Sequence, residues 1–279
     1  MIDLHTHSTA SDGTDAPGQV MEAAAAAGLT VVALTDHDTA AGWDEAAASA
    51  ARVGVALVRG AEISTVSDHV SVHLLAYLHD PTHPALVAEL ERTRASRLTR
   101  LERMAGLLGE DYPITWDDVL AQTGPGATVG RPHLADALVA AGVVATRDEA
   151  FATMLRPGTR YYVPHFAPDA VAAVHAVRAA GGVPVFAHPG ASQRGRVVPE
   201  ERIEELAAAG LVGLEVDHRD HDEPTRARLR DLAGALGLLV TGSSDYHGAG
   251  KPNRLGENTT SADVLAQIEA QGALAVLRP

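Results

Sequence analysis

The residues with the clearest chemical potential lie within the first dozen positions of the chain. His5 and His7 are two residues apart, and Asp12 follows five residues after His7. Side chains two apart on a β-strand point to the same face, so a strand that begins near Ile2 would place both imidazoles side by side. Two imidazoles and a carboxylate are ligands that divalent metals favour. The segment therefore predicts a metal site, although two histidines taken alone also fit a structural role.

Histidines and acids recur where later strands are expected to end, which strengthens the metal interpretation. The pair Asp36-His37 directly follows the apolar run Val31–Leu34, and Glu62 is expected just beyond the third strand. His73 lies within a strand whose alternation places it opposite the most apolar face. The remaining candidates are His188, Asp245 and His247. Nine potential ligands from six segments are poorly explained as unrelated structural residues, and we predict a multinuclear metal site.

Short apolar segments alternate with alanine-rich stretches, a pattern that is typical of a parallel α/β fold. Strands are predicted near residues 2–6, 29–35, 55–59, 70–78, 183–187, 212–216 and 238–241. Helices are predicted near residues 17–27, 40–52, 169–180, 199–209, 223–236 and 261–271. Pro17 and Pro199 suit a first helical turn, and Ser261 can cap a helix. Seven strands with covering helices favour a barrel, in which chemistry gathers where strands end and loops begin.

Residues 80–164 interrupt this alternation, because they contain no convincing strand. A long amphipathic helix is predicted over 86–108, with shorter helices near 116–122, 132–141 and 147–155. We interpret 80–164 as a helical insertion, a lid or cap for substrate, between a first barrel part (1–79) and a second (165–279). The long helix carries five arginines, for which a solvated face is the first interpretation: Arg92, Arg94, Arg97, Arg100 and Arg103.

Composition narrows the classes of partner and location. The 279-residue chain has no cysteine and therefore neither disulfides nor thiolate metal ligands, which fits a reducing compartment. A net charge of −14 and an aromatic content of 4% argue against binding long nucleic acid. No apolar run is long enough to cross a membrane, the early His motif leaves no room for a signal peptide, and no obligate protein partner is evident. We therefore expect a cytoplasmic protein.

The complete set of motifs resembles that of the polymerase and histidinol phosphatase (PHP) superfamily, from residue 1 to about residue 260. The matching motifs are His5-x-His7, Asp12, Asp36-His37, Glu62, His73, His188-Pro189 and Ser244-Asp245-x-His247. The resemblance implies a distorted (β/α)7 barrel and a centre of three divalent metal ions that hydrolyses phosphoesters. It implies one ion on His5, His7, Glu62 and Asp245, a second that shares Glu62 and adds His73 and His188, and a third on Asp12, His37 and His247.

The donor types constrain the metal and its chemistry. Imidazole and carboxylate ligands without thiolates suit Mn²⁺, Zn²⁺ or Fe²⁺, and among these we expect Mn²⁺. Divalent ions close together activate water near neutral pH and neutralise phosphoryl oxygens during in-line attack. A chain with a net charge of −14 can therefore still hold an anionic substrate.

A narrower resemblance concerns the insertion. The segments 130–135 (GRPHLA) and 160–164 (RYYVP) resemble the insertion of the PHP branch that contains 3′,5′-nucleoside bisphosphate phosphatases and 5′→3′ exonucleases for short RNA. Pro132 suits a first helical turn, so Arg131 would lie at a helix N-terminus that favours an anion, although an ordinary surface arginine also fits. By this resemblance, Arg131 and His133 bind one phosphate of the nucleotide, and Tyr161 or Tyr162 contacts its sugar or base.

His218 follows the sixth predicted strand in the segment EVDHRDH, residues 215–221. This resembles the Glu-Val-x-His-x-x-His of the same branch, which often has proline where this chain has Arg219. His218 could bind the substrate phosphate or protonate the leaving group, and a structural role is open as well. The other histidines assigned to structure or surface are His69, His79, His83, His165, His175 and His221. Arg194 and Arg196 could reach substrate phosphate, but we expect solvated loop arginines.

The leading hypothesis is a metal-dependent phosphatase that removes the 3′-phosphate of nucleoside 3′,5′-bisphosphates to give nucleoside 5′-monophosphates. Hydrolysis of short oligoribonucleotides from the 5′ end is a further activity, so the expected partner is a small nucleotide or short oligonucleotide. Histidinol-phosphate phosphatase shares the metal set but gives the arginine-containing insertion no clear role. A module that holds metal without turnover is the third alternative, and it predicts bound metal without hydrolysis.

Overall fold

A single seven-stranded sheet, with its strands in chain order, organises the computed structural model, which describes residues 1–279. The strands are β1 (Ile2–Asp3), β2 (Val31–Leu34), β3 (Ala56–Ser67), β4 (Val70–Tyr77), β5 (Val183–Phe186), β6 (Gly213–Asp217) and β7 (Leu239–Gly242). A bridge between Thr6 and Tyr246 joins the chain beyond β1 to the chain beyond β7. The sheet is therefore a nearly closed barrel, and the predicted (β/α)7 architecture is confirmed.

Ten α-helices accompany the barrel, and none is long and apolar enough to span a membrane. They are α1 (Pro17–Ala26), α2 (Trp43–Val53), α3 (Pro84–Gly109), α4 (Trp116–Leu120), α5 (Arg131–Ala140), α6 (Arg147–Ala150), α7 (Ala170–Ala179), α8 (Glu200–Ala208), α9 (Glu223–Leu236) and α10 (Ala262–Glu269). As predicted, α1 begins at Pro17, and Ser261 Oγ caps α10 by accepting from Val264 N at 3.2 Å. Pro199 instead precedes α8 as its N-cap residue.

The sheet is mixed rather than parallel throughout. Strands β3 and β4 are antiparallel, as are β4 and β5, whereas the other neighbouring pairs are parallel. The reason is a hairpin: β3 runs on to Ser67 and turns through Asp68 and His69, whose φ angles are 47° and 60°. A hairpin needs only a short turn, whereas a parallel pair needs a long crossover. Glu62 consequently lies inside β3 and not just beyond the third strand, which corrects its expected position.

The first strand is shorter than predicted, ending at Asp3 rather than near Thr6. Beyond it, one main-chain hydrogen bond, from Thr35 N to Thr6 O at 2.9 Å, continues the pairing beside β2. Threonine side chains add to it: Thr6 Oγ1 donates to Ala33 O at 2.6 Å, and Thr6 N donates to Thr35 Oγ1 at 3.2 Å. The chain between β1 and α1 is thereby held against the barrel while its backbone leaves the sheet. The residues of this segment include His5, His7 and Asp12.

The apolar core is divided between the barrel and the insertion. Strands β4 to β6 pack against α7, α8 and α9 through a cluster of 20 buried residues. Residues 101–163 form a separate cluster of 16 buried residues that includes Leu101, Met104 and Leu134. Polar contacts such as Thr128 N to Ala10 O, at 2.9 Å, join the insertion to the barrel loops. The helical part of the chain therefore has an apolar core of its own beside the barrel.

Candidate metal centre and phosphate site

The nine predicted metal ligands converge on one cluster, and Glu62 lies at its centre. Glu62 Oε2 is 3.2 Å from His5 Nε2, 3.1 Å from His7 Nε2 and 3.2 Å from His37 Nδ1. Glu62 Oε1 is 2.7 Å from His73 Nδ1 and 3.1 Å from His188 Nε2. A carboxylate that faces five imidazoles can bridge two cations, because its two oxygens point to different sets of nitrogens.

Asp245 and Asp12 complete the cluster. Asp245 Oδ1 is 3.5 Å from the Nε2 atoms of both His5 and His7. Asp12 is 3.3 Å from His247 Nε2 and 3.7 Å from His37 Nε2. The atoms that lie within 4.8 Å of one another form three groups: His7–Asp12–His37–His247, His5–His7–Asp245 and His37–Glu62–His73. These groups share His7 and His37, so they overlap more than the ligand sets that the resemblance implies.

The hydrogen-bond pattern of the cluster fits bound cations. His5 Nε2 and His7 Nε2 face each other at 3.0 Å. The other ring nitrogen of His5, Nδ1, is 3.0 Å from Glu215 Oε1, and the contact with this carboxylate assigns the ring proton to Nδ1. His5 Nε2 therefore presents a lone pair to His7. His247 Nδ1 likewise donates to Asp245 O at 2.8 Å, so its buried Nε2 carries a lone pair that faces Asp12 Oδ1 at 3.3 Å without a hydrogen bond. Facing lone pairs of imidazole and carboxylate repel one another unless a cation lies between them. The donor set therefore suits divalent metal ions.

The carboxylates of the cluster are in the state that binds metal. Burial by itself raises the pKa of Glu62, but the imidazoles of His37 and His73 outweigh it and hold that pKa well below its usual range. For Asp245, burial is outweighed by Lys251 and Arg194, and the pKa is again well below its usual range. Both groups are therefore ionised at neutral pH, as metal binding requires.

The backbone is strained where it delivers these residues. Asp38, His188 and Asp245 have φ angles of 53°, 36° and 53°, in a region that costs a non-glycine residue about 1–2 kcal/mol. Each follows closely after a strand end, and strain of this kind concentrates at functional sites. The loop that carries Asp12 depends on Gly13, because a Cβ there would lie 2.6 Å from His7 O.

Two buried carboxylates support the ligands without belonging to the predicted set. Asp36 accepts hydrogen bonds from Ser8 Oγ at 2.7 Å and from Ser11 Oγ at 2.6 Å, which shapes the loop that carries Asp12. Glu215 accepts from His5 Nδ1 at 3.0 Å and from His188 N at 2.7 Å. No role was predicted for Glu215, although an acid between Leu214 and Val216 in an apolar strand is a usable signal.

His218 is the buried histidine beside the cluster with a free ring nitrogen. Its Nδ1 accepts from Asp220 N at 3.0 Å, which assigns the proton of the neutral ring to Nε2. That Nε2 has no partner and lies 3.6 Å from Asp245 Oδ2. In contrast, both ring nitrogens of His221 are occupied by the backbone, at Val216 O and Gly190 N. His218 therefore retains a donor for a ligand, whereas His221 has a structural role.

The solvated-face interpretation is wrong for two of the five arginines on α3. Arg97 and Arg100 are only 6% and 4% exposed. Arg97 Nε donates to Asp38 Oδ2 at 2.9 Å, and Arg97 also contacts Ser64 Oγ. Arg100 Nη1 donates to His165 Nδ1 at 3.0 Å. Asp38 and Ser64 follow the predicted ligands His37 and Glu62 closely in sequence, so this face of α3 packs against the cluster rather than facing water.

Arg131 lies close to these two arginines, at the first position of α5. Its Nη1 donates to Leu155 O at 3.0 Å, and its guanidinium is 5.8 Å from the centre of the Tyr162 ring. Burial, with the neighbouring charges of Arg97 and Arg131, lowers the pKa of Arg100 to about 9. Burial and the charge of Arg100 lower the pKa of His165 to about 2, so His165 stays neutral. We call Arg97, Arg100 and Arg131 the arginine group.

The structure places the remaining predicted substrate residues differently. His133 Nδ1 accepts from Gly130 N at 3.1 Å and so caps α5, which leaves Nε2 as the donor of the neutral ring. Tyr161 is not brought to the site, because its hydroxyl donates to Asp111 at 2.7 Å in an exposed contact. Tyr162 is the tyrosine that lies against Arg131.

Arg194 also departs from its expected solvated position. Its Nη2 donates to Asp245 Oδ2 at 2.7 Å and its Nε to Asp220 Oδ2 at 2.5 Å. Two carboxylates at the barrel mouth hold its guanidinium, which sequence spacing could not reveal because Asp220 and Asp245 come from other loops. Arg196 remains at the surface, where its Nη2 donates to His69 O at 3.1 Å.

Comparison with known proteins agrees with this geometry. A family model described as the PHP domain matches residues 3–114. The chain is 35% identical over 280 residues to a 3′,5′-nucleoside bisphosphate phosphatase of Chromobacterium violaceum, covering 100% of this chain and 98% of that protein. It is 34% identical to a 5′-3′ exoribonuclease of Haemophilus influenzae, covering 95% of this chain and 97% of that protein. A solved structure from Bifidobacterium adolescentis, described as a metal-dependent phosphoesterase, superposes with a TM-score of 0.95 at 47% identity, covering 98% and 96%.

Proposed function

Because the chain belongs to the PHP family of metal-dependent phosphoester hydrolases, we propose that it removes the 3′-phosphate of nucleoside 3′,5′-bisphosphates. The products are a nucleoside 5′-monophosphate and inorganic phosphate. Release of nucleotides from the 5′ end of short oligoribonucleotides is a second activity of the same site. The descriptions of the two relatives named above support these two substrate classes.

The observation that carries the proposal is the unbalanced charge of the arginine group. Its three guanidiniums have one carboxylate partner, Asp38, and Arg100 Nε is buried without a hydrogen-bond partner. Burying cations without counter-charge is costly, so the group favours a ligand with a net charge of about −2. A terminal phosphate has this charge and accepts hydrogen bonds from several guanidinium donors at once.

The position of the arginine group suggests how a bisphosphate would bind. Arg97 is anchored by Asp38, the residue after His37, so the group lies beside the metal cluster. A nucleoside bisphosphate can place one phosphate at the cluster and the other at the arginine group. Histidinol phosphate instead carries an ammonium at the end away from its phosphate, and the arginine group would repel it. The structure therefore supports the bisphosphate over this alternative.

We propose that the cluster holds three divalent ions, with Mn²⁺ expected and Zn²⁺ or Fe²⁺ as alternatives. One would be held by His5, His7, Glu62 and Asp245, a second by Glu62, His73 and His188, and a third by Asp12, His37 and His247. Such ions, when bound, activate water and neutralise phosphoryl oxygens. We retain Arg131 and His133 as phosphate-binding residues and replace Tyr161 by Tyr162.

Within this site, His218 is placed to stabilise the leaving group. Because Asp220 N donates to Nδ1, the ring carries one proton, on Nε2, and this N–H can donate a hydrogen bond. A hydrogen bond from Nε2 to the leaving 3′-oxygen stabilises the negative charge that develops there, and a donor of this kind is worth about 10²- to 10³-fold. The leaving oxygen takes the proton that the attacking water loses. The fully buried position of the imidazole also keeps bulk water away from this hydrogen bond.

The proposal is tested by phosphate release from three substrates side by side: adenosine 3′,5′-bisphosphate, adenosine 5′-monophosphate and histidinol phosphate. Protein loaded with Mn²⁺ should convert the bisphosphate to adenosine 5′-monophosphate, identified by chromatography, and should leave added 5′-monophosphate intact. Asp245→Ala is the negative control, because it removes a cluster ligand. Preference for histidinol phosphate would overturn the substrate assignment, and bound metal without turnover of any substrate would favour the binding-module alternative.

A further inference from the structure

The chain contains one lysine, and that lysine lies at the metal cluster. The chain has 22 lysines and arginines in total, and the other 21 are arginines. Lys251 Nζ is 3.0 Å from Asp245 Oδ2, and the lysine side chain is 29% exposed. The ammonium of Lys251 therefore lies between solvent and a residue of the cluster, and it is the one side-chain ammonium in the chain.

The two oxygens of Asp245 have different surroundings. Oδ1 faces the imidazoles of His5 and His7, whereas Oδ2 faces cations. Arg194 Nη2 approaches Oδ2 at 2.7 Å, and Lys251 approaches the same oxygen at 3.0 Å. Asp220 also holds Arg194, while the ammonium of Lys251 uses one of its three donors here. Lys251 therefore differs from Arg194 in being held by one carboxylate oxygen, with two of its three donors free.

The backbone on both sides of Lys251 is held in place. Asn253 Nδ2 donates to Ser244 O at 2.7 Å and to Asp245 O at 3.2 Å. On the other side, Gly250 lies so close to Arg147 that a Cβ at position 250 would clash with the guanidinium. The stem of the lysine remains flexible, so its ammonium can move between oxygens near Asp245 while its Cα stays fixed.

We propose that Lys251 is a catalytic residue that binds the phosphoryl group being removed, an inference that rests on the proposed function. A metal ion at Asp245 would itself neutralise that carboxylate and release the ammonium to donate to non-bridging phosphoryl oxygens. A compact ammonium with rotatable donors suits this transfer between oxygens better than the rigid fork of arginine. In the reaction, a bond forms from water oxygen to phosphorus and the bond to the 3′-oxygen breaks. Lys251 stays protonated, and the leaving oxygen takes the proton that the attacking water loses.

The first test uses the fact that Lys251 and the N-terminus are the two primary amines of the chain. The Mn²⁺-loaded protein is acetylated with the N-hydroxysuccinimide ester of acetic acid, and both sites are followed by peptide mass spectrometry. Inorganic phosphate, the product at the reacting position, should slow labelling of Lys251 at least about fivefold and leave the N-terminus unaffected. Equal labelling of Lys251 with and without phosphate would overturn the proposal.

The second test separates substrate contact from charge balance at Asp245. Lys251→Met should lower kcat/KM for adenosine 3′,5′-bisphosphate about 10- to 100-fold at saturating Mn²⁺, and Lys251→Arg should recover part of the loss. Arg254→Met, in the same loop with a side chain 84% exposed, is the matched control and should be unchanged. Weakened metal binding in Lys251→Met, with activity restored by excess Mn²⁺, would instead assign the lysine to charge balance and contradict the proposal.

The outcome of these tests can be distinguished from failure of the proposed function. Protection of Lys251 by inorganic phosphate does not depend on which phosphoester is the substrate. Wild-type protein that ignores the bisphosphate but shows this protection would overturn the proposed function alone. Active wild-type protein without protection, and with a fully active Lys251→Met variant, would overturn the lysine assignment alone.

Discussion

Glu215 Oε1 lies 3.0 Å from His5 Nδ1, and both side chains are completely buried. Glu215 comes from β6 and His5 from the segment after β1, so the contact spans 210 residues of sequence. A carboxylate behind a metal-binding imidazole fixes the ring orientation and keeps the lone pair of the other nitrogen directed at the metal. Glu215 therefore acts on the cluster through His5 and is a positioning residue.

The substitution Glu215→Gln should weaken metal binding by about 10- to 100-fold, because the charged acceptor behind His5 becomes a neutral amide. Isothermal titration of the metal-free protein with Mn²⁺ measures the change. Asp217→Asn is the matched control, since Asp217 lies two residues further along β6 and pairs with Arg230 at 2.7 Å near the surface. Equal metal affinity of the Glu215 variant and wild type would show that His5 needs no such support.

His218→Asn should lower kcat for adenosine 3′,5′-bisphosphate by about 10²- to 10³-fold, because the imidazole hydrogen bond to the leaving oxygen is lost. The same variant should lose less than about tenfold with p-nitrophenyl phosphate, whose leaving group is stable without a proton. Steady-state kinetics on both substrates gives the comparison. Equal losses on the two would contradict a role of His218 at the leaving oxygen and favour binding of phosphate by His218.

The substitution Arg97→Met should destabilise the protein by about 3 kcal/mol, because Asp38 would remain buried without its cation. For a chain of this size, thermal unfolding should then occur roughly 6 °C lower. Arg103→Met, on the exposed side of the same helix, should have little effect. The double variant Arg97→Met with Asp38→Asn should recover part of the loss, and simple additivity would exclude coupling between the two residues.

Stability should fall in mild acid through His79, which is 1% exposed and stacks edge-on against Trp43. Burial lowers the pKa of His79 from 6.5 to about 4. The unfolded chain therefore takes up a proton at a higher pH than the folded one, and the contribution of His79 is lost as pH falls from about 6.5 to 4. The complete loss of this contribution lowers the free energy of unfolding by about 3 kcal/mol.

Urea unfolding at pH 7 and pH 5 isolates this contribution in the variant His79→Phe. Its free energy of unfolding should fall by about 2 kcal/mol less between the two pH values than that of wild type. His175→Gln, which replaces an exposed histidine on α7, should behave as wild type. The same pH dependence in all three proteins would show that other histidines carry the acid sensitivity.

The barrel and the convergence of the predicted ligands could be predicted from sequence because their signals are local. Alternating apolar segments located the seven strands, and His5 and His7 are near neighbours in the chain, which brings their imidazoles together. The predicted position of Glu62, just beyond the third strand, was wrong because residues 60–67 pair with β4 in a hairpin. This pairing with a later segment of the chain lengthens β3.

The polar surroundings of the cluster were less accessible because their partners are distant in sequence. Arg97 looks like a solvated helix residue until Asp38, 59 residues earlier, is found opposite its guanidinium. Arg194 likewise needs Asp245, 51 residues later, to identify it as a site residue. Periodicity describes one element at a time and does not show which elements meet at the barrel mouth.

The measurement that tests the central claim most directly compares kcat/KM for adenosine 3′,5′-bisphosphate and adenosine 3′-monophosphate, which lacks the second phosphate. Wild-type protein should prefer the bisphosphate by about 100-fold or more, because charged hydrogen bonds from the arginine group each contribute about 1.5–3 kcal/mol. Arg100→Met should reduce this preference at least about tenfold and leave turnover of the 3′-monophosphate nearly unchanged. Equal efficiency of wild type on both nucleotides, or an undiminished preference in the Arg100 variant, would contradict the account.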